Sequence, residues 1–448
     1  MENLRNFLDF LPPEVSGAIV TFADVFSSLW WLWLFIFLFF IVRAVWSAYR
    51  QALWKNAIKW TTWELRIPRE TRRTPKAMEQ VFMHIHSLYN SAGNFKERWW
   101  DGEVTLWYSC EMVSFGGDVH MYMRVPTGRK NVIEAALYAQ YPDIELVVAE
   151  DYVSRLPTTV DDIDKAGYNF FGNELRLIKD DEYPIRTYID FEAPVEEKEI
   201  DPISATFEIL AKLRPQETVW IQILFRPVKD DWKKKGEKTI KTLKEKYGRQ
   251  KVELEKGQMT FTMPAPGDIE VLKAIDRNIG KPGFESLIRY IYFAPKEIYS
   301  DTFPRRGIFG AFNQYASESL NKFAHNFKAW TRADFWNKPH IFPVRRLRAR
   351  KLRMLSSYHT RSMHNETWMG TLLESLSESR SFVGPRFGAR KMGAMILNAE
   401  ELATIYHLPT LPVLTGPLIK RSESKKVGPP AGLPIYGEGQ ESEKLPGI

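Results

Sequence analysis

VTLWYSCEMVSFGGDVHMYMRV, residues 104–125, alternates apolar and polar positions on either side of a Gly116-Gly117 pair. Val104, Leu106, Tyr108, Cys110 and Met112 take every second place before the pair, and Val119, Met121, Met123 and Val125 do so after it. Period two is the strand period, and adjacent glycines suit the tight turn of a hairpin. The stretch predicts two antiparallel strands.

The flanking segments switch to the helical period. Met78, Val81, Phe82, Ile85, Leu88 and Tyr89 make one apolar stripe over residues 75–90, residues 129–141 read as a second helix, and residues 144–148 read as a further strand. The order helix, strand, strand, helix, strand suits an α+β sandwich of the ferredoxin-like kind. A second unit repeats the scheme. Residues 202–213 are helical, and Val219, Ile221, Ile223 and Phe225 alternate as a strand. Leu287, Arg289, Ile291 and Phe293 alternate as its partner, and a helix follows through Ile308, Phe312, Tyr315 and Phe323. Between the paired strands, residues 229–280 carry a thin stripe of Ile240, Leu243 and Tyr247, which predicts a protruding helical hairpin.

At the N-terminal end, residues 25–42 read VFSSLWWLWLFIFLFFIV, with no charge. As a helix they span ~27 Å, close to the thickness of a hydrocarbon core. Arg43, Arg50, Lys55 and Lys59 follow at once, whereas Glu2, Asp9, Glu14 and Asp24 outnumber Arg5 before it. Basic flanks stay in the cytoplasm, so the expected topology is N-terminus out and C-terminal bulk in, at the plasma (inner) membrane. A cleaved signal peptide would place its cations before the apolar run and a small-residue cleavage site after it. Trp30, Trp31, Trp33, Phe35, Phe37, Phe39 and Phe40 are the expected anchor residues.

The expected organisation is an extracytoplasmic segment 1–24, a transmembrane helix 25–42 and an amphipathic juxtamembrane helix 43–66. A first α+β unit follows at 67–180, an acidic linker at 181–201, and a second α+β unit at 202–415 with a helical insertion at 229–280. A disordered Pro/Gly-rich tail at 416–448 completes the chain. Upstream of that tail Asn398 is expected to cap a short helix through Glu401, with Leu402, Ile405 and Tyr406 on its apolar face.

Chemistry is harder to find. The net charge of +7 is a small difference between 62 basic and 55 acidic residues, which permits anionic partners without demanding them. The single cysteine, Cys110, rules out an internal disulfide and any multi-cysteine metal site. Gly280-Lys281 has Ile275 in place of a phosphate loop's first glycine and Pro282 in place of its hydroxyl. His84 and His86 stand two apart on a helix and face apart, and His359 and His364 have only Glu366 near them. Asp161, Asp162 and Asp164 read as a solvated loop. No catalytic residue, cofactor site or metal site is assigned.

The strongest polar feature is basic. Residues 322–361 hold eleven Lys and Arg against Asp334 alone, with Phe327, Trp330, Phe335, Trp336 and Phe342 interleaved. Arg345, Arg346, Arg348, Arg350, Lys351 and Arg353 are the densest part. Three readings stay open: a groove tracking nucleic-acid phosphates, a patch on anionic lipid, and a solvated face or docking surface for an acidic partner.

AMEQVFMHIHSLYN, WYSCEMVS, DVHMYMRVP, VIEAALYAQYPDIELVVAEDY and MILNAEELATIYHLPT resemble the N-terminal, pre-ATPase region of membrane-anchored ATPases similar to type IV secretion and conjugation proteins, of uncharacterised bacterial type. The resemblance runs from residue 20 to about residue 435 and carries no catalytic motif. In such relatives a Pro-rich linker after the ELATIYHLPT region leads into a P-loop motor. This sequence ends at Ile448, and the expectation is that the motor is a separate polypeptide. The resemblance implies a non-catalytic membrane scaffold that docks a cytoplasmic ATPase, the alternative being a membrane-tethered nucleic-acid-binding protein. Candidate partners are membrane lipid, a separate P-loop ATPase, DNA and further copies of the chain.

Overall fold

The structure, a computed structural model, describes residues 24, 28–67, 73–155, 157, 159–191, 201–248, 265–327, 329–332, 342–363 and 394–409. A helix α1 (Trp30–Ala57) leads into a mixed α/β body built on one large antiparallel sheet.

The hairpin forms as the alternation requires. Strands β2 (Tyr108–Phe115) and β3 (Asp118–Pro126) pair from Ser109↔Arg124 to Phe115↔Asp118. Gly116 and Gly117 take φ of +61° and +96°, positive at both turn positions as a two-residue type I′ connection demands. A Cβ on Gly116 would also lie 2.7 Å from the Pro215 carbonyl oxygen, so the turn is pressed onto a neighbouring loop.

Ahead of the hairpin lie β1 (Trp60–Arg66) and α2 (Pro75–Ser87), and behind it come α3 (Lys130–Gln140) and β4 (Glu145–Val148). These four strands lie in the order β4-β1-β3-β2. After a short helix α4 (Val160–Lys165), the chain runs through β5 (Tyr168–Leu177), α5 (Ser204–Ala211) and β6 (Thr218–Pro227). Helices α6 (Asp231–Gly248) and α7 (Pro266–Ile279) lie between β6 and β7 (Gly283–Pro295). A wide turn (Phe303–Ile308), the single turn α8 (Phe309–Phe312) and β8 (Phe323–His325) follow. Here the order is β6-β7-β5-β8, the first pattern reversed, and β2 pairs with β6 from Tyr108↔Phe225 to Phe115↔Thr218, which makes one continuous sheet.

Several expectations need correction. Residues 43–66 are not one amphipathic helix: α1 ends at Ala57 and Trp60–Arg66 is a strand whose Trp63 and Leu65 face the core. Trp46, Tyr49, Leu53, Trp54 and Ile58 lie on or just beyond α1, whereas Trp63 sits opposite Met123 in the sheet. Residues Tyr168–Leu177 add a further strand, β5, whose Phe171 and Leu175 are core residues. The helix expected through Phe323 stops at Phe312, and Phe323 begins β8. Of the 181–201 linker, residues 181–191 are built into the body, with Ile185 and Tyr188 buried, while residues 192–200 lie outside the described residues. So does the tail at 416–448.

Nor are the sandwiches two-layered throughout. One sheet face, through Cys110, Met112, Met121, Ile221 and Tyr290, is covered by α2, α3 and α5. The opposite face presents Val113, Tyr122, Trp220 and Ile291 to Met354, Leu355 and Tyr358 of α9 (Pro343–Thr360). Both faces of the central strands are therefore dry, and burying each large side chain is worth ~1.5–3 kcal/mol.

The segment 394–409 joins the two halves. Strand β9 (Met395–Asn398) pairs with β7 at Gly283↔Asn398, while α10 (Ala399–Ile405) packs on α2, and Tyr406 donates its hydroxyl to the Tyr122 carbonyl at 3.0 Å. Asn398 caps α10 as expected, its side chain accepting from the Glu401 N–H while Glu401 accepts from the Asn398 N–H, each at 2.8 Å. This segment therefore crosses between the halves, with β9 on β7 of the second and α10 on α2 of the first.

Candidate functional site

Three features are candidates for a functional role: the apolar helix, the basic helix and a charged cluster beneath the latter. Helix α1 is long and apolar enough to cross a membrane, and none of its most apolar window is buried by the protein. Trp30, Trp31, Trp33, Phe35, Phe37, Phe39 and Phe40 all point outward. A core helix of a soluble protein would have these rings covered. Its twenty-eight residues extend ~42 Å, more than the thickness of a hydrocarbon core.

From Arg43 to Arg50 the helix is gripped by a one-turn wide helix, Glu97–Asp101. The Arg43 guanidinium lies 4.1 Å over the Trp99 ring, the Trp46 indole N–H donates to the Trp99 carbonyl at 2.9 Å, and Arg50 donates to the Trp100 carbonyl. Gly102, at φ +71°, ends the turn because a Cβ there would meet the Arg50 backbone at 2.4 Å.

The basic helix α9 divides its cations. Arg345 and Arg348 are exposed, Arg345 over the Phe342 ring at 5.2 Å and Arg348 paired with Asp161. Arg350 donates to the Arg332 carbonyl, and Lys351 donates to Asn169 Oδ1 while its ammonium lies 5.0 Å over the Phe170 ring. Burial lowers the Lys351 pKa, with Asp164 pulling the other way. Arg346 and Arg353 are half-buried. The segment read as one basic patch is therefore partly a set of struts to the sheet, and its residues 333–341 lie outside the described residues.

At the end of α9, Arg361 turns inward. Its φ of +48° is left-handed, and the side chain is 0 % exposed. Nε and Nη2 donate to the two oxygens of Glu111, itself 0 % exposed, at 2.5 and 2.9 Å, and Nη1 and Nη2 donate to Asp151 at 2.6 and 2.8 Å. Tyr152 and Ser109 donate their hydroxyls to Glu111 at 2.6 and 2.7 Å, and the Trp107 indole donates to the Arg361 carbonyl at 2.8 Å. Burial opposes both charges, yet their mutual attraction prevails: Glu111 and Asp151 are held below the usual carboxylate range and Arg361 is pushed further up. Nearby, burial and the Arg361 charge bring Arg124 down to about 10. A parallel strut joins Arg289 to Glu174 at 2.8 Å and to the Ser357 and Ser362 carbonyls at 3.0 Å each.

Sequence reasoning missed this cluster. Glu111 occupies a polar place in the β2 alternation, and a charge inside an otherwise apolar strand is the one local signal of a buried partner. Among the described residues no group of three or more His, Cys, Asp or Glu could hold a metal ion. His84 bonds its own helix at the Gln80 carbonyl, and His86 reaches the Val228 carbonyl.

A second buried carboxyl lies in α10. Burial pushes Glu401 up to about 8, against the lowering pull of the N–H groups of Asn398 and Ile185. Between the unfolded value of ~4.3 and this one, the folded chain holds a proton the unfolded chain has shed, so stability falls as pH rises through that window. Glu401→Gln is expected to flatten this fall in thermal unfolding measured across it. An unchanged slope would mean that Glu401 is ionised throughout.

Fold and surfaces together define a mixed α/β protein with one apolar N-terminal helix that is a candidate membrane span. The chain belongs to a family described as a domain of unknown function, DUF8128, whose model matches residues 45–418. No curated protein matches it.

Proposed function

We propose that this protein is a non-catalytic, single-pass membrane scaffold, with its N-terminus outside and its α/β body in the cytoplasm, that docks a cytoplasmic P-loop ATPase at the inner membrane. The observation that carries the reading is α1, whose apolar rings are left bare by a body that otherwise buries its apolar surface on both sheet faces. The cations that follow Val42 favour the cytoplasmic side for the body.

The mirrored strand orders support two ferredoxin-like units fused through β2 and β6, with α6 and α7 as an insertion in the second. Such a fused sheet makes a stiff platform. The resemblance to pre-ATPase regions of secretion and conjugation ATPases supports an ATPase as the partner, and the exposed stripe of Val344, Arg345, Arg348 and Leu352 on α9 is a docking surface of mixed character. Nucleic-acid tethering is less well supported, since Arg350, Lys351 and Arg361 are engaged by the protein itself.

Full-length chain cross-linked in cells and purified in mild detergent is expected to bring down a P-loop ATPase, with recovery reduced by Arg345→Glu with Arg348→Glu. A recovered set without any nucleotide-driven motor would overturn the docking reading. Salt-sensitive DNA binding by the purified chain, abolished by the same double substitution, would favour the tether instead.

A further inference from the structure

We propose that residues 95–100 form an aromatic and cationic collar that sits in the headgroup layer beside α1, so that the body meets lipid at a second place besides the helix. The inference rests on the reading of α1 as a membrane anchor.

Position along the helix comes first. Val42 is the last residue of the uncharged run, and Trp46, whose ring lies 5.9 Å from that of Trp100, is one turn beyond it, ~6 Å along the axis. The headgroup layer on one side of a bilayer is ~5–8 Å deep, half the difference between the full thickness and the hydrocarbon core. With Trp99 under Arg43 and Trp100 beside Trp46, the collar occupies that depth.

Composition comes second. Phe95 is 80 % exposed and Trp100 62 %, among the barest large apolar residues of the body, and the exposed Lys96 and Arg98 stand between them. Bare aromatic rings are costly in water but favoured at a lipid interface, where a ring faces the acyl boundary and a cation meets phosphate.

The loop is also held stiffly. Glu97 accepts from the Gly93 N–H at 2.8 Å and from the Asn94 N–H at 3.2 Å, and the Glu103 N–H donates to the Glu97 carbonyl at 2.9 Å. Phe95 lies 6.2 Å from the Trp99 ring, which is itself pinned to α1. The exposure therefore belongs to a built surface continuous with the apolar helix. Two points of contact fix the tilt of the body against the bilayer, which one helix followed by a loose linker would not do.

The test uses full-length chain with an environment-sensitive fluorophore at Phe95→Cys or, separately, at Phe37→Cys, reconstituted into phosphatidylcholine and phosphatidylglycerol vesicles; Cys110 is buried and marks the background. A headgroup nitroxide is expected to remove roughly half the emission of the Phe95→Cys label, and a mid-chain nitroxide that of the Phe37→Cys label. Quenching at Phe37→Cys without quenching at Phe95→Cys would overturn the collar and leave the anchor standing. Quenching at neither position would overturn both.

Discussion

Arg361→Met is expected to destabilise the folded body by about 3–5 kcal/mol, because it strands a fully buried carboxylate without its cation. Glu111 would keep the hydroxyls of Tyr152 and Ser109 but lose both guanidinium bonds, and Asp151 would stand beside it as a second negative charge. A loss of this size lowers the melting temperature by on the order of 10 °C. The effect carries a pH signature. In the natural chain Glu111 and Asp151 have depressed folded pKa values, so their stabilisation is present above the unfolded range of ~3.9–4.3 and is lost as pH falls through the folded values. In the variant Glu111 is pushed up by burial instead, so part of the defect disappears when acid protonates it. Unfolding in detergent at neutral and acidic pH checks both points. A second signature is local: with its C-terminal lock gone, α9 should lift from Trp220 and Ile291, and trypsin should cut at Arg345–Arg353 sites sooner than elsewhere in the body. Replacing Glu111 and Arg361 together by methionine should cost less than replacing Arg361 alone, since the pair's members are not additive. If the double variant were as unstable as the sum of the singles, the cluster would not be acting as a charge pair.

The second large effect concerns the membrane. Leu34→Arg combined with Phe37→Arg places two charges near the middle of the uncharged run, each costing ~2.5–3.5 kcal/mol at a helix centre. Together they should lower the inserted fraction by a factor of about 10³ or more. Both side chains are exposed on α1, so the body's own packing is untouched. The expected result is loss of the chain from the membrane fraction that survives an alkaline wash. Retention of the doubly charged chain there would remove α1 from its anchoring role, and with it the proposed scaffold and collar.

What was legible in the sequence is what a short window specifies. The hairpin at 108–126, helix α2, the Asn398 capping box and the all-round apolar character of residues 25–42 each depend on neighbours a few residues away, and each can be read by its period or cap. Strand β1 is not legible in a short window, because it follows α1 after two residues and its environment is set by Met123 and Val147 on the strands flanking it.

The candidate site was less legible for the same reason. Counting cations over residues 322–361 treated them as alike, but the fold sends Arg361 into the interior, ties Lys351 to Asn169 and leaves Arg345 outside. Arg361 meets Glu111 across 250 positions of chain, and no local pattern announces that meeting.

The sequence by itself determined the apolar helix, the strand and helix periods and the exclusion of an internal disulfide, since these follow from side-chain type and spacing alone. Only the tertiary structure decided that two halves share one sheet through β2 and β6, that α9 covers its second face, and that a lone glutamate and a lone arginine become a buried pair. Each of those outcomes is a long-range pairing, in which a residue's burial and charge state depend on what the rest of the chain brings against it.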